Sequence, residues 1–181
     1  MKIKFDKIKD SENIQATLER LYRTYLNDIQ RFVRGRVENV PAQEDIISDV
    51  FLDLIAYVQS GKEVRNVRAF LYKIARNTII DYYKDKARIS THEHADAEIY
   101  LETQLTTETG ADERIDRGID LQMVHEHLRA LKPEYQEIIR LRYIEDLSLQ
   151  EIALVLDKTS VGARVLLHRA MKALRKRVET L

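Results

Sequence analysis

Apolar positions along this chain recur at helical spacing and seldom alternate. In residues 45–58, Ile46, Ile47, Val50, Phe51, Leu54, Ile55 and Val58 make one stripe at three- and four-residue intervals, the pattern of an amphipathic helix. The same reasoning predicts helices at about 12–37, 42–59 and 66–86, with a break at Ser60-Gly61. Four shorter ones are expected near 120–131, 133–145, 148–156 and 160–178. Residues 88–120, rich in Thr, Glu and Asp, lack sustained periodicity and read as a mostly irregular tether. Five Gly and two Pro are too few for a hairpin-rich sheet protein. The expected fold class is all-α: two small helical domains, residues 1–87 and 121–181, joined by a linker over 88–120.

Charge sharpens this division. The 30 basic and 30 acidic residues cancel overall. Residues 88–120, however, hold nine acidic and three basic side chains, and the blocks on either side each have a basic excess of three. The linker is therefore an acidic strip between two mildly basic modules. Cysteine is absent, which excludes disulfides, thiolate metal sites and a Cys nucleophile. No apolar run is long enough for a signal peptide or a membrane span, so a cytoplasmic protein with no membrane partner is expected.

Three helix faces carry candidate chemistry. Asp45, Asp49 and Asp53 fall four residues apart on the polar side of the 42–59 helix. Like charges at that spacing cost a helix roughly 0.2–0.5 kcal/mol per pair, so the face is either a docking surface for a basic partner or a solubilising one. In the 66–86 helix, Leu71, Ile74, Ala75, Thr78, Ile79 and Tyr82 are the expected buried side. Lys73, Arg76, Asn77, Ile80 and Lys84 gather opposite, flanked by Phe70 and Tyr83. Cations, rings and an amide suit single-stranded nucleic acid, although a solvated basic face has the same composition. The loop from Gln59 to Asn66, containing Lys62, is polar enough to receive an unstacked base.

The third face is more specific. Ser148 and Glu151 make a capping box opening a short helix with Ile152, Ala153, Val155 and Leu156 toward a core. A turn at Asp157-Lys158-Thr159 follows, and Thr159 or Ser160 can cap the next helix. That helix sets Ala163, Leu166, Leu167, Ala170, Met171, Leu174 and Val178 on one side. Arg164, Val165, His168, Arg169, Lys172, Arg175 and Lys176 occupy the other. This is a helix-turn-helix with a basic recognition face, suited to the major groove. Arg164 and Arg169 suit guanine or phosphate, and Val165 a thymine methyl.

Taken together, EDIISDVFLDL, AFLYKIARNTIIDYYK (Ala69–Lys84), LKPEYQEIIRLRYIEDLSLQEIALVL (Leu131–Leu156) and VGARVLLHRAMKALRK (Val161–Lys176) resemble the extracytoplasmic-function (ECF) group of the sigma-70 family over residues 15–87 and 121–177. The resemblance makes the first block sigma region two and the second sigma region four. It implies an alternative sigma factor that binds RNA polymerase core and directs initiation at chosen promoters. Asp45, Asp49, Phe51 and Asp53 would dock on polymerase. Lys62, Asn66, Arg68, Phe70, Lys73, Arg76, Asn77 and Lys84 would melt and capture the minus-ten element. Arg164, Val165, His168, Arg169 and Lys172 would read the minus-thirty-five element, while the acidic linker threads the cationic interior of polymerase. Many relatives are held by an anti-sigma protein, which makes one a candidate partner beside core and promoter DNA. The sequence departs from the family at Ser48, Phe70, Asp157 and Val161-Gly162-Ala163.

Other classes make different demands. A helix-turn-helix repressor would need a dimerisation surface within residues 1–87 and would bind duplex DNA without polymerase. A pure scaffold of helices would explain the acidic stripe and the linker and leave the recognition face without a use. A metalloenzyme would have to use His92 and His94 with Asp96 and Glu98, or His125 with His127. Residues two apart on a helix diverge by about 200° and cannot share an ion. No cofactor, metal site or catalytic role is expected.

Overall fold

The computed structural model describes residues 11–90 and 126–179. Every regular element among them is an α-helix: α1 Ser11–Arg34, α2 Val40–Gln59, α3 Val67–Ser90, α4 Pro133–Tyr143, α5 Leu149–Val155 and α6 Ser160–Val178. Residues 126–129 are also helical. Residues 88–90 continue α3, so its helix runs past the expected start of the linker; residues 91–120 of that segment lie outside the described residues.

The first three helices pack on one another around Leu21, Ile29, Phe32, Val33, Val50, Leu54, Leu71, Tyr72, Ala75 and Ile79, all at most 1% exposed. Local chemistry sets the helix starts. The Asn39 carboxamide accepts from the Ala42 amide at 2.9 Å, with Pro41 in the first turn, and starts α2. Asn66 does the same for α3, accepting from the Ala69 amide at 3.0 Å. Between them Gly61 takes φ 74, a left-handed turn that glycine adopts without steric cost.

In α3 the buried stripe is Leu71, Tyr72, Ala75, Ile79 and Tyr83, with Ile74, Thr78 and Tyr82 only half-buried. This corrects the expected face by about 60° of rotation at 100° per residue. Tyrosine is the reason, because its ring is apolar and its tip polar. Tyr72 stacks edge-on to Phe32 with centroids 5.0 Å apart, and Tyr83, 1% exposed, donates its hydroxyl to the Arg36 carbonyl at 2.6 Å. Tyr83 is therefore a core residue and does not flank the basic face.

Helices α4, α5 and α6 pack together around Ile138, Leu141, Leu147, Ile152, Val155, Ala163 and Ala170. The capping box forms as the sequence implies. Ser148 Oγ accepts from the Glu151 amide at 3.2 Å, and the Glu151 carboxylate accepts from the Ser148 amide at 2.9 Å. Asp157 holds the helix-turn-helix corner at φ 51, tolerating the left-handed conformation where Gly is usual. Thr159 caps α6, accepting from the Gly162 amide at 3.0 Å. Val178 is 42% exposed, so the apolar stripe of α6 ends before it.

Glu151 ties this cap to acid stability. Burial raises its pKa, but the Ser148 amide and hydroxyl and the Asn66 amide outweigh that and hold its carboxyl below the usual range. A depressed carboxylate stabilises the fold fully above its unfolded value, about 4.3, and ceases to do so as pH falls through the lower folded value. Urea denaturation should show Glu151→Gln flattening the loss of stability below about pH 4. Ser148→Ala should cost about 1 kcal/mol at neutral pH.

The two helix groups touch. Helix α5 lies against α3, and Arg31 of α1, Arg36 just beyond it and Arg68 of α3 reach the turn between α4 and α5.

Candidate nucleic-acid interface

Helix α6 presents Arg164, Val165, His168, Arg169 and Lys172 to solvent while Ala163, Leu166 and Ala170 anchor it. No charged partner to Arg164, Arg169 or Lys172 occurs among the described residues. With Arg175, Lys176 and Arg177 in the last turn, the helix offers a continuous cationic edge beginning at its N-terminal turns. The corner is close-packed: a Cβ added at Gly162 would lie 3.1 Å from Thr159 Oγ1. That contact is tighter than most, so the Thr159 cap would have to give way to any larger residue at position 162.

The residues expected to handle a separated strand divide into two groups. Asn77 and Lys84 are exposed, with Lys84 Nζ 3.3 Å from Asp81. Lys62 is exposed in the loop, its ammonium 5.4 Å from the Tyr57 ring centre. Phe70 is half-buried against Tyr57, with centroids 4.5 Å apart, so its ring is already engaged at one face.

Asn66, Arg68, Lys73 and Arg76 instead meet the second helix group. Asn66 Nδ2 donates to Glu151 at 3.3 Å, and Arg68 donates to the carbonyl oxygens of Glu145 at 2.6 Å and Asp146 at 3.1 Å. Lys73 pairs with Asp157, and Arg76 Nε stands 4.0 Å from Glu137.

Behind them lies a polar cluster that sequence periodicity did not reveal. Glu145, 3% exposed, accepts from the Tyr72 hydroxyl at 3.2 Å and faces Arg36 at 3.5 Å and Arg31 at 3.7 Å. Arg36, also 3% exposed, covers the Phe32 ring at 3.7 Å and approaches Glu137 at 3.5 Å. Burial and the Glu145 charge push the Tyr72 hydroxyl well above its ordinary pKa, keeping it a donor. Burial and the neighbouring Arg36 lower Arg140 to about 10, still cationic at neutral pH. The contacts of Glu145 and Glu137 with Tyr72, Arg36 and Arg31 join residues 73 to 114 positions apart, and no helical stripe encodes such a pairing. Tyr72 alone left a signal, since it continues the stripe of Ala75, Ile79 and Tyr83.

On α2, Asp45, Asp49 and Asp53 are exposed. Phe51 is not on that face: it is 6% exposed and packed edge-on against Tyr22 at 4.7 Å. The contribution expected of it as a docking residue is corrected to seating α2 on α1. Leu52, 61% exposed beside Asp49 and Asp53, is the apolar group the sequence reading missed on this surface. Among the described residues no group of His, Cys, Asp and Glu could hold a metal, and no helix is long and apolar enough to cross a membrane. His92, His94, Asp96, Glu98 and His125 lie outside the described residues.

Comparison with known proteins places this arrangement. The profile of sigma-70 region 2 matches residues 21–89, and that of sigma-70 region 4 matches residues 121–174. The chain belongs to the sigma-70 family. Within it, this sigma factor is similar to the RNA polymerase sigma factor YlaC of Bacillus subtilis (strain 168), with 26% identity over 160 residues, 88% of this chain and 91% of that protein. It is 30% identical over 159 residues to the ECF RNA polymerase sigma factor BldN of Streptomyces coelicolor (strain ATCC BAA-471 / A3(2) / M145), covering 86% of this chain and 58% of that one. In fold it is similar to the sigma factor RpoE of Bartonella quintana, solved in complex with the anti-sigma factor NepR. The TM-score there is 0.62 at 19% identity, over 89% of this chain and 96% of that one. This sigma factor is of the ECF type, an alternative factor for promoter-specific transcription.

Proposed function

We propose that this sigma factor divides its work between residues 1–87, acting as region two, and residues 121–181, acting as region four, with residues 88–120 as the linker between them. The carrying observation is the solvent-facing row of Arg164, Val165, His168, Arg169 and Lys172 on a capped helix-turn-helix. Such a row reads base edges with its N-terminal residues and holds phosphates with the later ones. It takes the minus-thirty-five element. Lys62, Asn66, Arg68, Phe70, Lys73, Arg76, Asn77 and Lys84 take the minus-ten element, where cations hold the backbone and Asn77 reads an extruded base.

Asp45, Asp49 and Asp53, with Leu52 among them, form the docking edge for RNA polymerase core. An exposed apolar residue beside a row of carboxylates suits a basic partner surface with an apolar patch. An anti-sigma protein is the remaining partner, by analogy with the RpoE complex. The factor works in the cytoplasm, has no catalytic step of its own and needs no cofactor.

Run-off transcription with core polymerase and a promoter library tests the reading, and absence of initiation from every template would end it. The strand-separation role has a sharper check. Lys73→Ala/Arg76→Ala/Asn77→Ala should lower initiation from duplex templates by about 100-fold or more, since each lost phosphate or base contact is worth about 1–3 kcal/mol and three are removed. A template with a pre-opened bubble should recover most of that loss. Equal failure on both templates would argue that these residues do not act in melting.

A further inference from the structure

The end of α2 and the start of α3 meet beside the polar loop that is suited to an unstacked base. Tyr57, in the last turn of α2, is half-buried and stands outside both the buried stripe and the acidic row of that helix. Its ring centre lies 4.5 Å from that of Phe70, with the planes 49° apart, and the Lys62 ammonium stands 5.4 Å from the same ring centre. We infer that Tyr57 is a positioning residue for strand capture. It braces Phe70 and anchors Lys62, so that one ring face and one cation stand ready for an unstacked base and its phosphate. The inference rests on the minus-ten reading of Phe70 and Lys62.

The backbone around the loop is already fixed. Val58, Val64 and Val67 are all at most 4% exposed, which pins the chain as it leaves α2, at mid-loop and as it enters α3. Gly61 turns the chain at φ 74 and donates its amide to the Val58 carbonyl at 3.0 Å. The Ser60 hydroxyl donates to the Tyr57 carbonyl at 2.7 Å, and the Phe70 amide donates to the Asn66 carbonyl at 3.0 Å. What freedom is left belongs to the side chains.

A solitary half-exposed phenylalanine or an exposed lysine turns about its side-chain torsions, and ordering either on binding costs entropy. Tyr57 lowers that cost beforehand. A tilted ring pair and a cation over a ring face are both favourable contacts with preferred geometry. With Tyr57 against one face of Phe70, stacking is directed to the opposite face. Lys62 has no ion-pair partner among the described residues, so its charge remains available to a phosphate. Stacking on a ring tolerates any base. The pair therefore grips the strand, and base choice is left to Asn77.

Holenzyme built from the full chain and core polymerase tests this on a promoter recovered from the library. Adenines of the minus-ten non-template strand are replaced by 2-aminopurine, whose fluorescence rises on unstacking and reports strand separation. Tyr57→Leu keeps apolar bulk without the ring and should slow opening by about tenfold, the loss of one ring pair and one ring–cation contact. Tyr57→Phe keeps the ring and should open within about twofold of the parent. In a Lys62→Ala/Phe70→Ala background, Tyr57→Leu should add no further loss, because the groups it acts through are gone. Core affinity and urea stability of Tyr57→Leu should match the parent. Opening by Tyr57→Leu at the parent rate overturns the bracing role, as does a full further loss in the Lys62→Ala/Phe70→Ala background. Failure of Tyr57→Phe equal to that of Tyr57→Leu would move the role to the hydroxyl and overturn it too. A loss of core affinity as large as the loss of opening would reduce Tyr57 to a packing residue. Absence of opening by the parent on every promoter would instead remove the minus-ten reading itself, and the inference with it.

Discussion

Arg164→Ala/Arg169→Ala should reduce promoter-directed transcription on the order of 100-fold while leaving affinity for core polymerase within about twofold of the parent. Both guanidinium groups are exposed on the recognition face of α6, and no intramolecular ion pair to either occurs among the described residues. Neither supports the helix core, which rests on Ala163, Leu166 and Ala170, so folding should be unaffected and the melting temperature serves as the control. A well-placed Arg contact to guanine discriminates by about 1–3 kcal/mol, so the pair spans roughly two decades or more. The loss should concentrate on templates with a cognate upstream element. Lys172→Ala should weaken all templates more evenly and lower the salt dependence, as expected of a phosphate contact. Unchanged promoter use by the double variant would show that the α6 face does not read DNA.

Charge reversal at Asp45, Asp49 and Asp53 to lysine should weaken core binding by on the order of 100-fold or more. Close charge pairs across protein interfaces couple by about 1.5–7 kcal/mol, and three reversals convert attraction into repulsion. The substitutions fall on exposed positions of α2, and the same like-charge spacing is kept with the sign changed, so the helix is neither relieved nor newly strained. Leu52→Ala should add a smaller loss through its exposed side chain. Phe51→Ala should behave differently: a 6% exposed ring packed on Tyr22 is removed, and about 3–5 kcal/mol of stability goes with it. Competition for labelled core, read beside urea denaturation, separates the two effects. Full core binding by the triple reversal would exclude this edge as the docking surface.

Local rules account for most of the helical architecture. Stripes at three- and four-residue spacing mark α2 and α6 because an exposed helix must bury one side and wet the other. Capping is equally local: Ser148, Glu151 and Thr159 satisfy amides within three residues of themselves. Exposure of the basic row on α6 follows from the same periodicity, since Ala163, Leu166 and Ala170 have one place to go.

Helix α3 marks where that reasoning stops. Periodicity placed Tyr82 inside and Tyr83 outside, and the fold buries Tyr83 while leaving Tyr82 half-buried, because Tyr83 finds the Arg36 carbonyl and Tyr72 finds Glu145. A tyrosine suits either environment until its hydroxyl has a partner, and these partners lie 47 and 73 residues away in the chain. Phe51 was assigned to a docking face for a similar reason, since type and position alone do not distinguish an interface ring from one closed over by α1.

By itself, then, the order of residues determined a helical fold class, the caps at Ser148, Glu151 and Thr159, the turn at Asp157-Lys158-Thr159 and the two charged faces of α2 and α6, because each depends on neighbours within a turn or two. Only the tertiary structure decided that Arg31, Arg36, Arg68, Lys73 and Arg76 turn toward Glu137, Glu145 and Asp157. That choice depends on pairing between residues far apart in the chain, with Arg36 and Glu145 buried and Lys73 and Asp157 at the exposed edge, and the energy of the buried pair comes from exclusion of water by the surrounding helices and from no local pattern.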